Sequence, residues 1–93
     1  MRRVLIFVRG RVQGVGFRWW TRARALELGL VGHAMNMADG RVEVCAQGEP
    51  AAVDALIALL REDPSTRSRP GRVDGVVVQE HPVRDGLTGF RER

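Results

Sequence analysis

The segment Gly10-Arg11-Val12-Gln13-Gly14-Val15-Gly16-Phe17-Arg18 holds the residues whose types and spacing bear most directly on chemistry. Glycines at 14 and 16 let the backbone bend tightly and turn successive N–H groups inward, which forms a nest for an anion. From Phe17 the apolar spacing predicts a helix, and no Ser, Thr, Asp or Asn stands before it to cap the first N–H groups. The positive end of that helix adds to the attraction. Arg18, in its first turn, carries a guanidinium whose fork suits two phosphate oxygens at once. Glycines alone would favour a plainer reading, a tight strand-to-helix turn; the uncapped start and Arg18 tip the balance toward an anion. The segment is not a Walker loop, which needs Gly-Lys-Ser/Thr at its end. Nor is it a dinucleotide fingerprint, whose third glycine would fall at Trp19.

Other reactive side chains are sparse. Asn36 lies three positions before Asp39, on a strand and not in the turn, so ordinary turn chemistry explains it poorly. His33 and His81 have no carboxylate or cysteine partner at metal spacing and read as surface residues, so no metal site is expected. Cys45 follows Val44 on the sheet face opposite the helices; it is expected to be partly exposed and has no catalytic role. Trp20 falls on the core face of its helix, which leaves little for base stacking.

Several elements must position these residues. Residues 3–8 are β-branched and aromatic, a strand, and helix 17–28 ends at Gly29 with Leu30 packing back. Leu30 to Met37 is a second strand, Asp39-Gly40 a hairpin turn, and 41–46 the alternating return strand, which implies a sheet covered on one side only. Pro50 opens a helix in which Val53, Leu56, Ile57 and Leu60 share one face. Asp63-Pro64 ends it, and a polar loop leads to a fourth strand at 73–80. The inward parity of that strand slips between Val73 and Val76, which predicts a bulge or a later start. The tail, 87–91, is a candidate edge strand. The order βαββαβ implies an α+β, ferredoxin-like sandwich with two helices on one face of a four- to five-stranded antiparallel sheet. That fold hosts many functions and decides none of them.

Composition narrows the classes. With 93 residues the chain suits one domain spanning 1–93. Apolar residues are 44% and charged residues 28%, an ordinary globular balance. No apolar run approaches a membrane span. Arg9 interrupts the apolar N-terminal run, so a strand is read there and not an export signal. The single cysteine excludes an internal disulfide, and a cytoplasmic location is expected. The net charge is +4 and every basic residue is arginine, which fits either nucleic acid or an anionic small substrate.

The glycine loop with Arg18 resembles the first motif of the acylphosphatase family at every position that defines it. Leu30, Gly32, Asn36, Asp39-Gly40, Val42-Glu43 and Gly48 resemble the second motif with matching spacing. Leu56, Leu60 and Gly89-Phe90 also fall where that family has comparable residues, so the resemblance spans nearly the whole chain. It implies hydrolysis of a small acyl phosphate to carboxylate and inorganic phosphate, without metal or cofactor. By the same resemblance, the backbone N–H groups of Arg11, Val12, Gln13, Gly14, Val15 and Gly16 bind the phosphoryl group with Arg18, and Asn36 positions water. The leaving carboxylate is a stable anion, so a site without a titrating acid is chemically sufficient.

This chain departs from the family pattern at His33-Ala34-Met35, at Glu92, where an apolar residue is usual, and in a longer polar loop at 63–72. Two alternatives stand beside this reading. A nucleic-acid-binding ferredoxin-like domain would carry aromatics on its strands, whereas Phe7 is the only one before the tail. A non-catalytic module of the kind found in hydrogenase-maturation carbamoyltransferases would be followed by zinc-finger cysteines. A free-standing, monomeric enzyme without nucleic-acid or membrane partners is the expectation.

Overall fold

The computed structural model describes residues 1–93. The elements are β1 (Arg2–Arg11), α1 (Phe17–Glu27), β2 (Val31–Asn36), β3 (Val42–Gly48), α2 (Pro50–Arg61), β4 (Arg72–His81) and β5 (Phe90–Glu92). They form one five-stranded sheet in the order β4-β1-β3-β2-β5, with both helices against one face.

Alternation along the strands builds the core. Val4, Ile6 and Val8 of β1 sit opposite Ala46, Val44 and Val42 of β3, and all six are fully buried. Helix α1 adds Phe17, Trp20 and Ala25, while α2 adds Val53, Leu56, Ile57 and Leu60 at the spacing the sequence predicts. A single apolar cluster results. Fully burying a Val, Leu, Ile or Phe side chain stabilises the fold by about 1.5–3 kcal/mol, so this layer, more than helix propensity, holds α1 and α2 in place.

The parity slip on β4 has its cause in the β1–β4 ladder. Arg9 pairs with Gly75 and Gly10 with Val73, so Asp74 is the extra residue of a bulge. Beyond it β1 runs on to Arg11 opposite Arg72, further than the sequence pattern indicated.

Two expectations need correction. The sheet is mixed and not wholly antiparallel, because β5 pairs parallel to β2 with Phe90 opposite Gly32. The chain leaves β4 at the end of the sheet where β2 begins, crosses to the far edge and re-enters in the same direction as β2. That crossing also covers part of the second sheet face. Gln47 donates from Nε2 to the Arg84 carbonyl at 2.9 Å, and its Oε1 accepts from the Arg84 N–H at 2.9 Å. Cys45, flanked in the sheet by Leu5 of β1 and His33 of β2, is buried (3% exposed) and not partly open.

Candidate active site

The loop between β1 and α1 is anchored at both ends by core side chains. Val12 and Phe17 are each 1% exposed, while Gly14 and Gly16 between them face solvent. Gly14 has φ +73° and Gly16 has φ +88°, left-handed values that a side-chain-bearing residue adopts only with strain. Gly16 is also the N-cap of α1, and no side chain caps the helix.

The consequence is a concentration of free donors. Trp20 is the first residue of α1 whose N–H finds an acceptor, the Gly16 carbonyl at 3.0 Å. From Val12 through Trp19 no backbone N–H donates to any protein acceptor. Orphan N–H groups at a helix start ordinarily find a capping oxygen; here an uninterrupted run of them surrounds two glycines at the positive end of a helix dipole. An anion is the natural complement. Arg11, expected within this loop, instead ends β1 in the ladder opposite Arg72, because the strand continues past the bulge.

Arg18 lies in the first turn of α1, and its Nη1 donates to the Arg93 carbonyl at 2.8 Å. The Arg93 N–H in turn donates to the Ala34 carbonyl on β2 at 2.8 Å. Arg22, one turn further along, donates from Nε to the Phe90 carbonyl at 3.0 Å. These bonds strap the start of α1 to β5 and so fix where the Arg18 guanidinium stands.

Asn36 is the last residue of β2, two positions after the buried Ala34 and therefore on the same, helix-covered face, about 7 Å along the strand. Its Oδ1 is buried without a hydrogen-bond partner. A buried orphan amide oxygen costs roughly 1–3 kcal/mol, so hydrogen bonding within the chain gives no reason to keep Asn36.

Gln13 joins the two halves. Its Nε2 donates to the Met37 carbonyl at 2.8 Å and to the Arg41 carbonyl at 3.0 Å. The glycine loop is thereby pinned to the residue that follows Asn36. Loop, Arg18 and Asn36 are thus brought to one end of the sheet through specific bonds.

A recess of about 70 Å³ opens at the loop, lined by Gly14, Gly16 and Arg18 together with Trp19 and Glu92. Two larger hollows of about 360 Å³ lie elsewhere. One borders His33, Arg91 and Arg93, and the other runs along the 63–74 segment. Neither is lined by a residue of the free N–H run, so size does not identify the site; donor density does. His33 pairs with Glu43 at 2.8 Å on the opposite sheet face, and no three His, Cys, Asp or Glu side chains cluster in the molecule.

Sequence reasoning did not find the side-chain role of Gln13, the Arg93 carbonyl or the position of Trp19. The first two are contacts across 24 to 75 residues, which no local spacing encodes. Glu92 was noticeable as a departure but not as part of the recess.

Comparison with known proteins finds relatives along nearly the whole chain. The family model described as Acylphosphatase matches residues 4–92. An acylphosphatase of Thermobifida fusca is 57% identical over 91 residues, covering 98% of this chain and 96% of its own. One from Rhodococcus jostii is 56% identical over 93 residues, all of both chains. The crystal structure of acylphosphatase from Bacillus subtilis superposes with a TM-score of 0.87 at 30% identity, covering 100% of this chain and 99% of that one.

Proposed function

The chain belongs to the acylphosphatase family, and from that premise we propose how its site hydrolyses an acyl phosphate. The phosphoryl oxygens sit in the Val12–Gly16 loop and accept from the free N–H groups there and at the start of α1. Arg18 closes the other side with a bidentate contact. Asn36 holds the attacking water in line with the bond to the carboxylate oxygen.

The chemistry needs little else. Phosphoryl transfer to water passes through a loose transition state with charge on the equatorial oxygens, so preorganised donors carry most of the catalysis. The carboxylate departs as a stable anion and requires no proton. Arginine keeps its charge at neutral pH and asparagine does not titrate, so the catalytic groups themselves hold one protonation state across the neutral range. The observation that carries this reading is the run of N–H groups from Val12 to Trp19 without a protein acceptor, beside Arg18. We further propose that the enzyme works as a cytoplasmic monomer on small molecules and not on nucleic acid.

The test is phosphate release from benzoyl phosphate by purified protein, with inorganic phosphate as a competitive inhibitor. Turnover without any inhibition by phosphate would remove the loop from the reaction. No turnover would sink the assignment.

A further inference from the structure

Two side chains at the recess have no task in the reaction above. Trp19 is 61% exposed although it is the third residue of α1. Side chains on a helix tilt toward its N-terminus, which carries the indole back over the Gly14–Gly16 loop, where it lines the recess. Glu92 reaches the same recess from β5, opposite Ala34 on β2. Its neighbours Arg91 and Arg93 alternate to the other sheet face, as strand geometry requires.

Neither group is satisfied from within the chain, despite 15 arginines. The Trp20 ring carries the Arg24 guanidinium at 5.7 Å and the Phe7 ring carries that of Arg41 at 5.2 Å. Trp19 has no cation over its ring. Glu27, Asp39, Asp74 and Glu80 each pair with an arginine, whereas Glu92 makes no ion pair. An open indole face and a free carboxylate thus border one small recess. Both attract a cation, while Arg18, which lines the same recess, has the phosphoryl group as its partner.

With the phosphoryl group on the loop and Arg18, the walls of the recess left to meet the acyl group include these two side chains. We infer that the site favours acyl phosphates whose acyl portion carries a positive charge, such as the ammonium of an aminoacyl phosphate. Trp19 meets that charge with its ring face and Glu92 with its carboxylate. The inference rests on the function proposed above and names the substrate class for it.

Two benzoyl phosphates isolate the charge, one bearing a para trimethylammonium group and the other the isosteric, neutral tert-butyl group. The readout is the ratio of their kcat/KM values divided by the ratio of their uncatalysed hydrolysis rates. For the wild-type enzyme this normalised ratio should be roughly 3 to 10, the size of one or two partly exposed cation contacts. Glu92→Gln and Trp19→Ala should each bring it toward unity. Because both substrates are compared on one preparation, loss of folded protein cancels. A wild-type ratio of unity, or one that neither substitution moves, overturns the inference while the hydrolytic reading stands. Failure to hydrolyse either compound would overturn that reading and the inference with it.

Discussion

The Gln13 side chain donates to the Met37 carbonyl at 2.8 Å, and the same nitrogen reaches the Arg41 carbonyl at 3.0 Å. A residue of the glycine loop thereby sets the distance between that loop and the end of β2. Gln13→Ala removes this donor while the Met37 and Arg41 carbonyls keep the Gly40 and Met37 N–H groups, and the expected loss of stability is about 0.5–1.5 kcal/mol. Turnover should fall as well, since Asn36 would no longer be held in register with the loop. Gln13→Glu should be worse than alanine, because it sets an acceptor-only carboxylate against two carbonyl oxygens. Unfolding curves and kcat on the same samples check this; a stable, fully active Gln13→Glu enzyme would refute it.

Arg18→Ala should lower kcat/KM by roughly 10²-fold or more, the usual consequence of losing one preorganised donor to developing charge. Inhibition by inorganic phosphate should weaken in parallel, since the same guanidinium meets ground state and transition state. Arg18→Lys should restore little of either. An ammonium has no fork, and it would have to bond both phosphate and the Arg93 carbonyl from one nitrogen. A lysine variant close to wild type would mean that charge alone matters at this position.

Acid should weaken the fold through specific carboxylates. Glu80 lies below the usual carboxylate range because Arg2 donates to both its oxygens, at 2.9 and 2.8 Å. Glu27 is lowered by Arg24, Asp39 by the Arg41 N–H, and Asp74 by Arg72. Groups whose folded pKa is depressed contribute stability that is present above their unfolded values and lost as pH falls through the folded ones. Melting temperature should therefore be flat above about pH 5 and decline below about pH 4. Arg2→Met should melt lower than wild type at neutral pH by a small margin, as befits an exposed pair. Arg2 also donates to Asp54, and the gap should narrow in acid, where Glu80 is protonated in both proteins. A gap that persists unchanged at low pH would assign the effect of Arg2 to packing.

Much of this molecule was legible in its sequence because its signals are local. Period-two alternation in β1 and β3, the Val53–Leu60 stripe of α2 and the Asp39-Gly40 turn each lie within one element, and the slip on β4 announced the bulge at Asp74. The direction of β5 was not legible. Three residues carry no mark of parallel or antiparallel pairing, and only the crossing after His81 decides it. Cys45 was misjudged for a related reason, since its flanking residues, Leu5 and His33, come from two other strands. At the site, Gly14, Gly16 and Arg18 declared themselves by type and spacing. Their supports did not, because an amide on two distant carbonyls and a guanidinium on the Arg93 carbonyl exist only after folding.

Asn36→Ala separates function from fold most sharply. Were Asn36 present to support the hairpin, its amide would bond to that hairpin; instead its Oδ1 is buried with no partner. Truncation removes an unsatisfied polar atom, and the backbone of residue 36 keeps its place opposite Val42. Melting temperature should therefore stay close to wild type, since truncation at that oxygen breaks no hydrogen bond within the chain. Activity should fall. If the amide positions the attacking water, its loss should lower kcat by roughly 10²-fold. The inhibition constant for inorganic phosphate should change little, because a neutral amide adds little to a dianion already held by Arg18 and the loop. Measuring kcat, phosphate inhibition and melting temperature on one preparation separates the possibilities. A variant that melts early but turns over normally at low temperature would assign Asn36 to structure, and one that loses kcat and phosphate affinity together would place it among the phosphate ligands.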